Sequence, residues 1–195
     1  MLGVLATAAF AVEYHAVAKR GARLVPSLIA GILAFAVIGS VSQELAIAPL
    51  PLYSICVVVL IVAIRLVRDP GPTADAPLPR WDLPARMLLA TALVIAITSS
   101  ASLLGPRLSG LLATVPLYAS IIAGFGHQLV GPAAAIRVWR GLLFGLFGFG
   151  AFYLMLALLL EPIGIAAFAI AIVAAVVMQA ATLRIMRRTV AIQSE

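Results

Sequence analysis

Charge is the scarcest feature of this sequence. Only 10% of the 195 residues are charged, while 64% are hydrophobic and the mean hydropathy is +1.19. A soluble domain carries about 25% charged residues, so a chain of this length could not cover so much apolar surface with so few charges. This excludes a water-soluble fold. It indicates a protein whose solvent is lipid, where each spanning helix needs about 20 mostly apolar residues.

Cysteine, histidine and enzyme motifs are also scarce. Cys56 is the only cysteine and lies in an apolar run, which excludes an intrachain disulfide and a cysteine-based metal site. His127 is predicted in a turn, and neither it nor His15 has a second ligand at metal-binding spacing. No nucleophile motif, P-loop, dinucleotide fingerprint or HExxH is present. We therefore expect no enzyme activity, no metal and no other cofactor.

The apolar sequence divides into seven segments of roughly membrane-spanning length. We predict an all-α polytopic membrane protein with seven transmembrane helices. The one clear linker is 69–85, whose five prolines prevent a continuous helix and predict an extended connector. The predicted spans are 1–18, 24–42, 48–67, 86–104, 108–125, 137–160 and 162–183.

The basic residues follow the positive-inside rule if the N-terminus is outside and the C-terminus inside. Twelve of the 13 Lys and Arg residues then lie on the cytoplasmic side, and Arg107 alone lies outside. The net charge of +6 is therefore interpreted as topogenic, and no nucleic-acid partner is expected. We expect a multi-pass protein of the bacterial cytoplasmic (inner) membrane. Trp81 and Trp139 are both predicted at its cytoplasmic interface.

The chain resembles itself at an offset of 84 residues. Residues 5–40 align without a gap to 89–124, with ten identities in 36 positions where composition alone gives roughly four. Three spans per unit is an odd number, so the second copy enters the membrane from the opposite side. Arg107 is then the inverted counterpart of Arg23. Such inverted repeats recur in secondary transporters.

This repeat predicts a division of the chain into four parts. Two three-helix units flank the proline-rich linker, which is predicted to be cytoplasmic, and a seventh helix with its tail follows the second, inverted unit. The boundaries are 1–68, 69–85, 86–160 and 161–195.

One stretch resembles a known family. The sequence GPRLSGLLATVPLYASIIAGF, with Gly110, Leu111, Leu112, Ala113 and Pro116, precedes a polar turn and a Gly-Leu-Leu-Phe-Gly helix. In this it resembles the small GlpM-like and DUF3147-type bacterial membrane proteins, mainly over residues 105–160. The resemblance implies a small helical membrane architecture and carries no established activity.

The first span contains the leading candidate for a site. Glu13 is an ionisable group inside a span, which by default suggests a function such as proton coupling or cation binding, with Tyr14 and His15 beside it. The alternative is that Glu13 lies near the boundary and pairs with Lys19, Arg20 or a basic residue of another helix.

Three further positions are candidates for the same pathway. Arg107, at the predicted outer start of the fifth span, would attract a carboxylate or phosphate, unless it pairs with an external acid. Pro116, inside that span, would kink the helix. Ser99 belongs to a hydroxyl patch late in the fourth span, which either lines a path or only bonds to neighbouring backbone.

Small residues mark two predicted packing faces, either internal or for a dimer. Gly141 and Gly145 form a GxxxG on the sixth span, and Ala167, Ala171 and Ala175 form a stripe on the seventh.

Two functions fit this sequence. The first is a secondary transporter or exporter of a small or lipid-like solute by alternating access. The second is an accessory or structural subunit of a larger membrane complex, because the chain offers few intramembrane polar groups. The expected partners are the lipid bilayer and either a second copy or a larger complex.

Overall fold

The computed structural model describes residues 1–44, 47–71, 79–113 and 115–192, with the side chains of 100–113 and 187–192 outside the description. Within that part the chain forms seven α-helices and no β-strand, which confirms the all-α prediction. The helices are α1 (Leu2–Ala18), α2 (Leu24–Gln43), α3 (Pro49–Leu66), α4 (Asp82–Ala113), α5 (Leu117–Leu129), α6 (Pro132–Ile163) and α7 (Ala166–Ile192).

Five helices of the described part are long and apolar enough to cross a membrane: α2, α3, α4 over Asp82–Ser99, α6, and α7 over Ala166–Met186. Their outward faces are apolar as well, with Val25, Leu33 and Val37 of α2 each about 60% exposed. Water would not tolerate such a surface, whereas lipid requires it. The chain is therefore a multi-pass helical membrane protein.

The two remaining helices are shorter. At 1.5 Å per residue, the 17 residues of α1 extend about 25 Å and the 13 residues of α5 about 20 Å, against a hydrocarbon core about 30 Å thick. Seven helices are present among the described residues, as predicted, but helix length supports full-length spans only for five of them.

The break between the fourth and fifth helices was predicted at the wrong place. α4 continues past Gly105 and Pro106 to Ala113, so Arg107 lies within α4 and not at the start of a fifth span. A proline inside a helix removes one hydrogen bond and often bends the helix without ending it. Flanking apolar sequence on both sides favours that outcome here.

The chain turns instead at Pro116, which precedes α5 and does not kink it from within. Its φ of −76° and ψ of 60° define an inverse γ-turn, in which Leu117 N donates to Val115 O over 2.7 Å. Proline favours this turn because its ring holds φ near −65° and restricts the residue before it. The predicted linker is also shorter than expected, since α4 begins at Asp82.

Two helices organise the packing. α6 contacts α1, α3, α5 and α7, and α1 contacts α2, α3 and α6. The turn between α1 and α2 contains Gly21 at φ 80°, a left-handed conformation that glycine adopts without strain. It closes α1 and α2 into a tight pair, in which a Cβ at Gly31 would lie 2.7 Å from the Phe10 ring.

One end of the bundle, here named the charged end, collects the C-termini of α1, α3 and α5 and the N-termini of α4 and α6. The Tyr14 hydroxyl lies 2.7 Å from His127 Nδ1, which joins the ends of α1 and α5. The Arg86 guanidinium lies 5.3 Å from the Phe125 ring centroid, which joins the start of α4 to the end of α5.

α3 and α6 meet at the same end through Arg140. Its guanidinium donates to Ile64 O at 3.1 Å and to Val67 O at 2.6 Å, and lies 3.8 Å from Asp69. These carbonyls are left without intrahelical partners at the end of α3, so an arginine of α6 satisfies them. Successive helices therefore run alternately toward and away from the charged end.

Candidate functional site

Glu13 lines a groove between α1, α2 and α3, here named the Glu13 groove. Its volume is about 810 Å³, and Glu13 is the only charged residue among the described residues that line it. The walls are aliphatic, and they include Leu33 and Val37 of α2 and Val58 and Val62 of α3. A carboxylate in such surroundings attracts a cationic group, because few other polar groups compete for it.

Glu13 has no protein partner in the described part of the chain. Its side chain is exposed, and it takes part in none of the ion pairs or side-chain hydrogen bonds found there. The alternative prediction, that Glu13 pairs with Lys19, Arg20 or a basic residue of another helix, is therefore wrong for this structure. The carboxylate is available to a ligand that enters the groove.

Tyr14 lies on a different face of α1 from Glu13, because successive side chains of an α-helix point about 100° apart around the helix axis. It is 0% exposed, and its ring centroid lies 5.5 Å from that of Trp139 on α6. Phe10, one turn earlier, lies 4.5 Å from the same indole. Together with His127, these residues form the aromatic cluster, which joins α1, α5 and α6.

Three members of the aromatic cluster, Phe10, Tyr14 and Trp139, are closed to solvent and to lipid, and His127 is half-buried. Trp139 is 0% exposed, and its indole Nε1 is buried without a hydrogen-bond partner in the described residues. Trp139 is therefore packed inside the bundle and does not face lipid, and its place at the membrane interface stays a prediction, whereas Trp81 is 57% exposed. His127 lies in the last turn of α5, not in a turn of the chain, and its ring contacts Tyr14 edge-on.

The remaining candidates do not converge on Glu13. His15 is half-buried, and its Nδ1 has no partner among the described residues. Ser99 lies on α4, which does not line the Glu13 groove, and Pro116 lies at the start of α5. The Arg107 side chain lies outside the described part, so its predicted role stays a prediction. Tyr14 and His15 are adjacent to Glu13 in sequence, but they do not line its groove.

The two small-residue faces differ. Among the described residues, no atom lies within 4 Å of a Cβ built on Gly141 or Gly145, so these glycines make no close contact within that part of the chain. Ala167 and Ala171 are 0% exposed. Gly148 of α6 approaches α7 closely, with a built Cβ 3.1 Å from Ala175 O. The alanine stripe is where α7 packs on α6.

The sequence did not indicate that Tyr14 contacts His127 and the core residue Trp139. The spacing of Phe10 and Tyr14, four residues apart on one helix, was the available signal for a shared buried face. Which other helices that face would meet depends on tertiary packing. No cluster of three or more potential metal ligands occurs among the residues described.

Comparison with known proteins returned no match. No family model matches the chain, and neither a curated protein nor a solved structure does.

Proposed function

We propose that this protein is a secondary transporter or exporter of a lipid-like solute, with the Glu13 groove as its binding site. The observation that supports this most directly is the unpaired Glu13 carboxylate in an otherwise aliphatic groove of about 810 Å³. The groove would hold the apolar body of the solute, and Glu13 would bind a proton or the cationic group of the solute. A soluble, strongly polar substrate would find few partners there.

The second support is the order of the helices. α1 runs toward the charged end and α4 runs away from it, and the pairs α2/α5 and α3/α6 are likewise opposed. We propose that residues 1–68 and 86–160 are inverted three-helix repeats, which would supply two related conformations for alternating access. The gap-free alignment needs revision, because it pairs the turn at Gly21 with Gly105, which lies inside α4.

Liposome transport measurements test the role of Glu13. Purified protein is reconstituted, a pH gradient is imposed, and uptake of the lipophilic cation tetraphenylphosphonium is followed together with proton flux. We expect coupled fluxes in the wild type and their loss in Glu13→Gln. Glu161→Gln is the matched control, since it removes the same charge at the end of α6, away from the groove. Equal fluxes in all three proteins would refute the proposed coupling.

We propose the orientation that the charge distribution predicts, with the charged end cytoplasmic in a bacterial inner membrane. Single cysteines are introduced by Glu44→Cys or Arg80→Cys into a protein carrying Cys56→Ser. A membrane-impermeant thiol reagent added to intact cells should label the first variant and spare the second. The reverse labelling pattern would invert the proposed topology.

We also propose a relation to the GlpM-like and DUF3147-type proteins. The second candidate function is an accessory subunit of a larger membrane complex. One observation favours an accessory role: Gly141 and Gly145 form a face of α6 that no described residue approaches within 4 Å. A helix of a partner could approach such a face closely. Purification in mild detergent distinguishes the roles, because a stoichiometric second protein supports the subunit and a monomer or homodimer supports the transporter.

A further inference from the structure

A second groove, between α3, α6 and α7, has a composition unlike that of the Glu13 groove. Its volume is about 930 Å³, and its charged residues, Arg65, Arg68, Asp69 and Arg140, all come from the charged end of the bundle. Among the described residues, three cations against one anion give this mouth a formal charge of +2. We refer to it as the arginine groove.

The single acid at the mouth is already neutralised. Asp69 lies 3.8 Å from Arg140 Nε, and one of its carboxylate oxygens accepts a hydrogen bond from Gly71 N. Arg140 in turn caps the carbonyls of Ile64 and Val67. These contacts of Asp69 and Arg140 hold the mouth in place, and Arg65 and Arg68 take no part in them.

Arg65 and Arg68 are exposed and take part in no ion pair with the described residues. Arg65 lies in the last turn of α3, Arg68 lies two residues beyond the end of that helix, and both line the arginine groove. Two guanidinium groups at one mouth suit a phosphate, which arginine binds through paired N–H donors.

The body of the arginine groove is apolar and elongated. Tyr53, Val57 and Ile61 line it along α3, opposite Phe147 of α6 and Met178 of α7. From Tyr53 to Arg65 the distance along the axis of α3 is about 18 Å at 1.5 Å per residue. One leaflet of the hydrocarbon core is about 15 Å thick, so an acyl chain fits lengthwise below the mouth.

We propose that the arginine groove is a binding site for one anionic phospholipid. The phosphate lies between Arg65 and Arg68, and one acyl chain lies along α3 between α6 and α7. The match of a cationic mouth to an apolar body of leaflet length identifies the occupant as an amphiphile with a phosphate headgroup. The site depends neither on transport through the Glu13 groove nor on the orientation of the chain.

Native mass spectrometry of the full chain in detergent tests this site. Phosphatidylglycerol and phosphatidylcholine with identical acyl chains are titrated separately. We expect one phosphatidylglycerol to bind in preference to phosphatidylcholine. The double variant Arg65→Gln/Arg68→Gln should weaken phosphatidylglycerol binding roughly tenfold or more, since each surface arginine contributes about 1 kcal/mol with anionic lipid. The matched control is Arg20→Gln/Arg23→Gln, which removes two exposed cations at the same end, outside the groove.

Two further variants separate binding from folding. Arg65→Lys/Arg68→Lys keeps the charge and should keep most of the lipid preference. Ala181→Trp keeps every charge, fills the apolar body and should also abolish preferential binding. The proposal is overturned if phosphatidylcholine binds equally well, if the Arg20/Arg23 control loses as much affinity as the Arg65/Arg68 variant, or if Ala181→Trp binds like the wild type.

Discussion

The aromatic cluster and the Glu13 groove lie on two faces of the same helix, yet they are built differently. The cluster places Tyr14 and Trp139 at 0% exposure between three helices. In the groove, Glu13 has no partner among the described residues and lies between aliphatic walls. The contrast shows that one face of α1 holds the bundle together, and we propose that the other face is available for a ligand.

This contrast has a physical basis in lipid. Apolar side chains gain little by leaving hydrocarbon, so helices of a membrane protein associate through close packing and a few polar contacts. The cluster supplies both, through stacked rings and the bond from Tyr14 to His127. The groove supplies neither, and substitutions there should alter function while leaving the fold intact.

The largest expected effect is the loss of the central indole. Trp139→Ala should destabilise the protein by about 3–5 kcal/mol, because it leaves a cavity among Phe10, Tyr14 and Leu143. Thermal unfolding in detergent measures this change. Trp81→Ala is the control, since Trp81 is 57% exposed and should lose far less. Similar losses in both variants would show that the aromatic cluster is not the structural centre.

A smaller effect is expected where α1 and α2 touch. Gly31→Ala places a Cβ about 2.7 Å from the Phe10 ring, so the ring must move, at a cost of about 1–3 kcal/mol. Gly141→Ala is the matched control, because nothing lies within 4 Å of its new Cβ, and alanine favours a helix. The same melting experiment compares them. A Gly31 variant as stable as the Gly141 variant would contradict the close approach.

The hydrogen bond inside the cluster should contribute about 1 kcal/mol. Tyr14→Phe removes the hydroxyl that lies 2.7 Å from His127 Nδ1 and keeps the ring packing. Tyr153→Phe, on the exposed side of α6, provides the comparison. Chemical denaturation in mixed micelles measures both. Equal stabilities of the two variants would mean that the bond does not hold α1 to α5.

The smallest expected effect on stability is at Glu13. Glu13→Gln should change the free energy of unfolding by no more than about 0.5 kcal/mol, because the carboxylate is exposed and unpaired. The variant should nevertheless lose coupled flux in liposomes. A large loss of stability would place Glu13 among the structural residues and would remove the distinction between the two faces.

Parts of this architecture were predictable from residues alone. Long apolar runs are enough to predict spanning helices, because lipid imposes a length and a composition on them. The end of α1 near Lys19 also follows local signals, whereas α6 begins at Pro132, five residues before the predicted start of the sixth span at 137. Pro106 and Pro116 show the limit, since the break was predicted beside Pro106 and only a kink at Pro116, whereas α4 continues past Pro106 and α5 begins after Pro116. A proline inside a bundle can be tolerated where neighbouring groups compensate for its missing bond, and no local pattern reveals those neighbours.

The candidate site shows the same limit. Glu13, Tyr14 and His15 attracted attention as neighbours in sequence, but only Glu13 reaches the groove. The partner of Tyr14, His127, lies 113 positions away. Contacts of that kind depend on which helix faces pack together, and the choice among apolar faces of similar composition is made by shape.

The sequence by itself determined that this chain is helical and that it crosses a membrane several times, and it predicts that twelve of its 13 cations lie at one end. Those properties follow from transfer free energies summed along the chain, which need no knowledge of neighbours. Only the tertiary structure decided that Tyr14 is sealed in an aromatic cluster, that Glu13 faces an open groove, and that Arg65 and Arg68 border another. Those outcomes depend on how helices interlock, and interlocking is set by the fit of side chains that are distant in sequence.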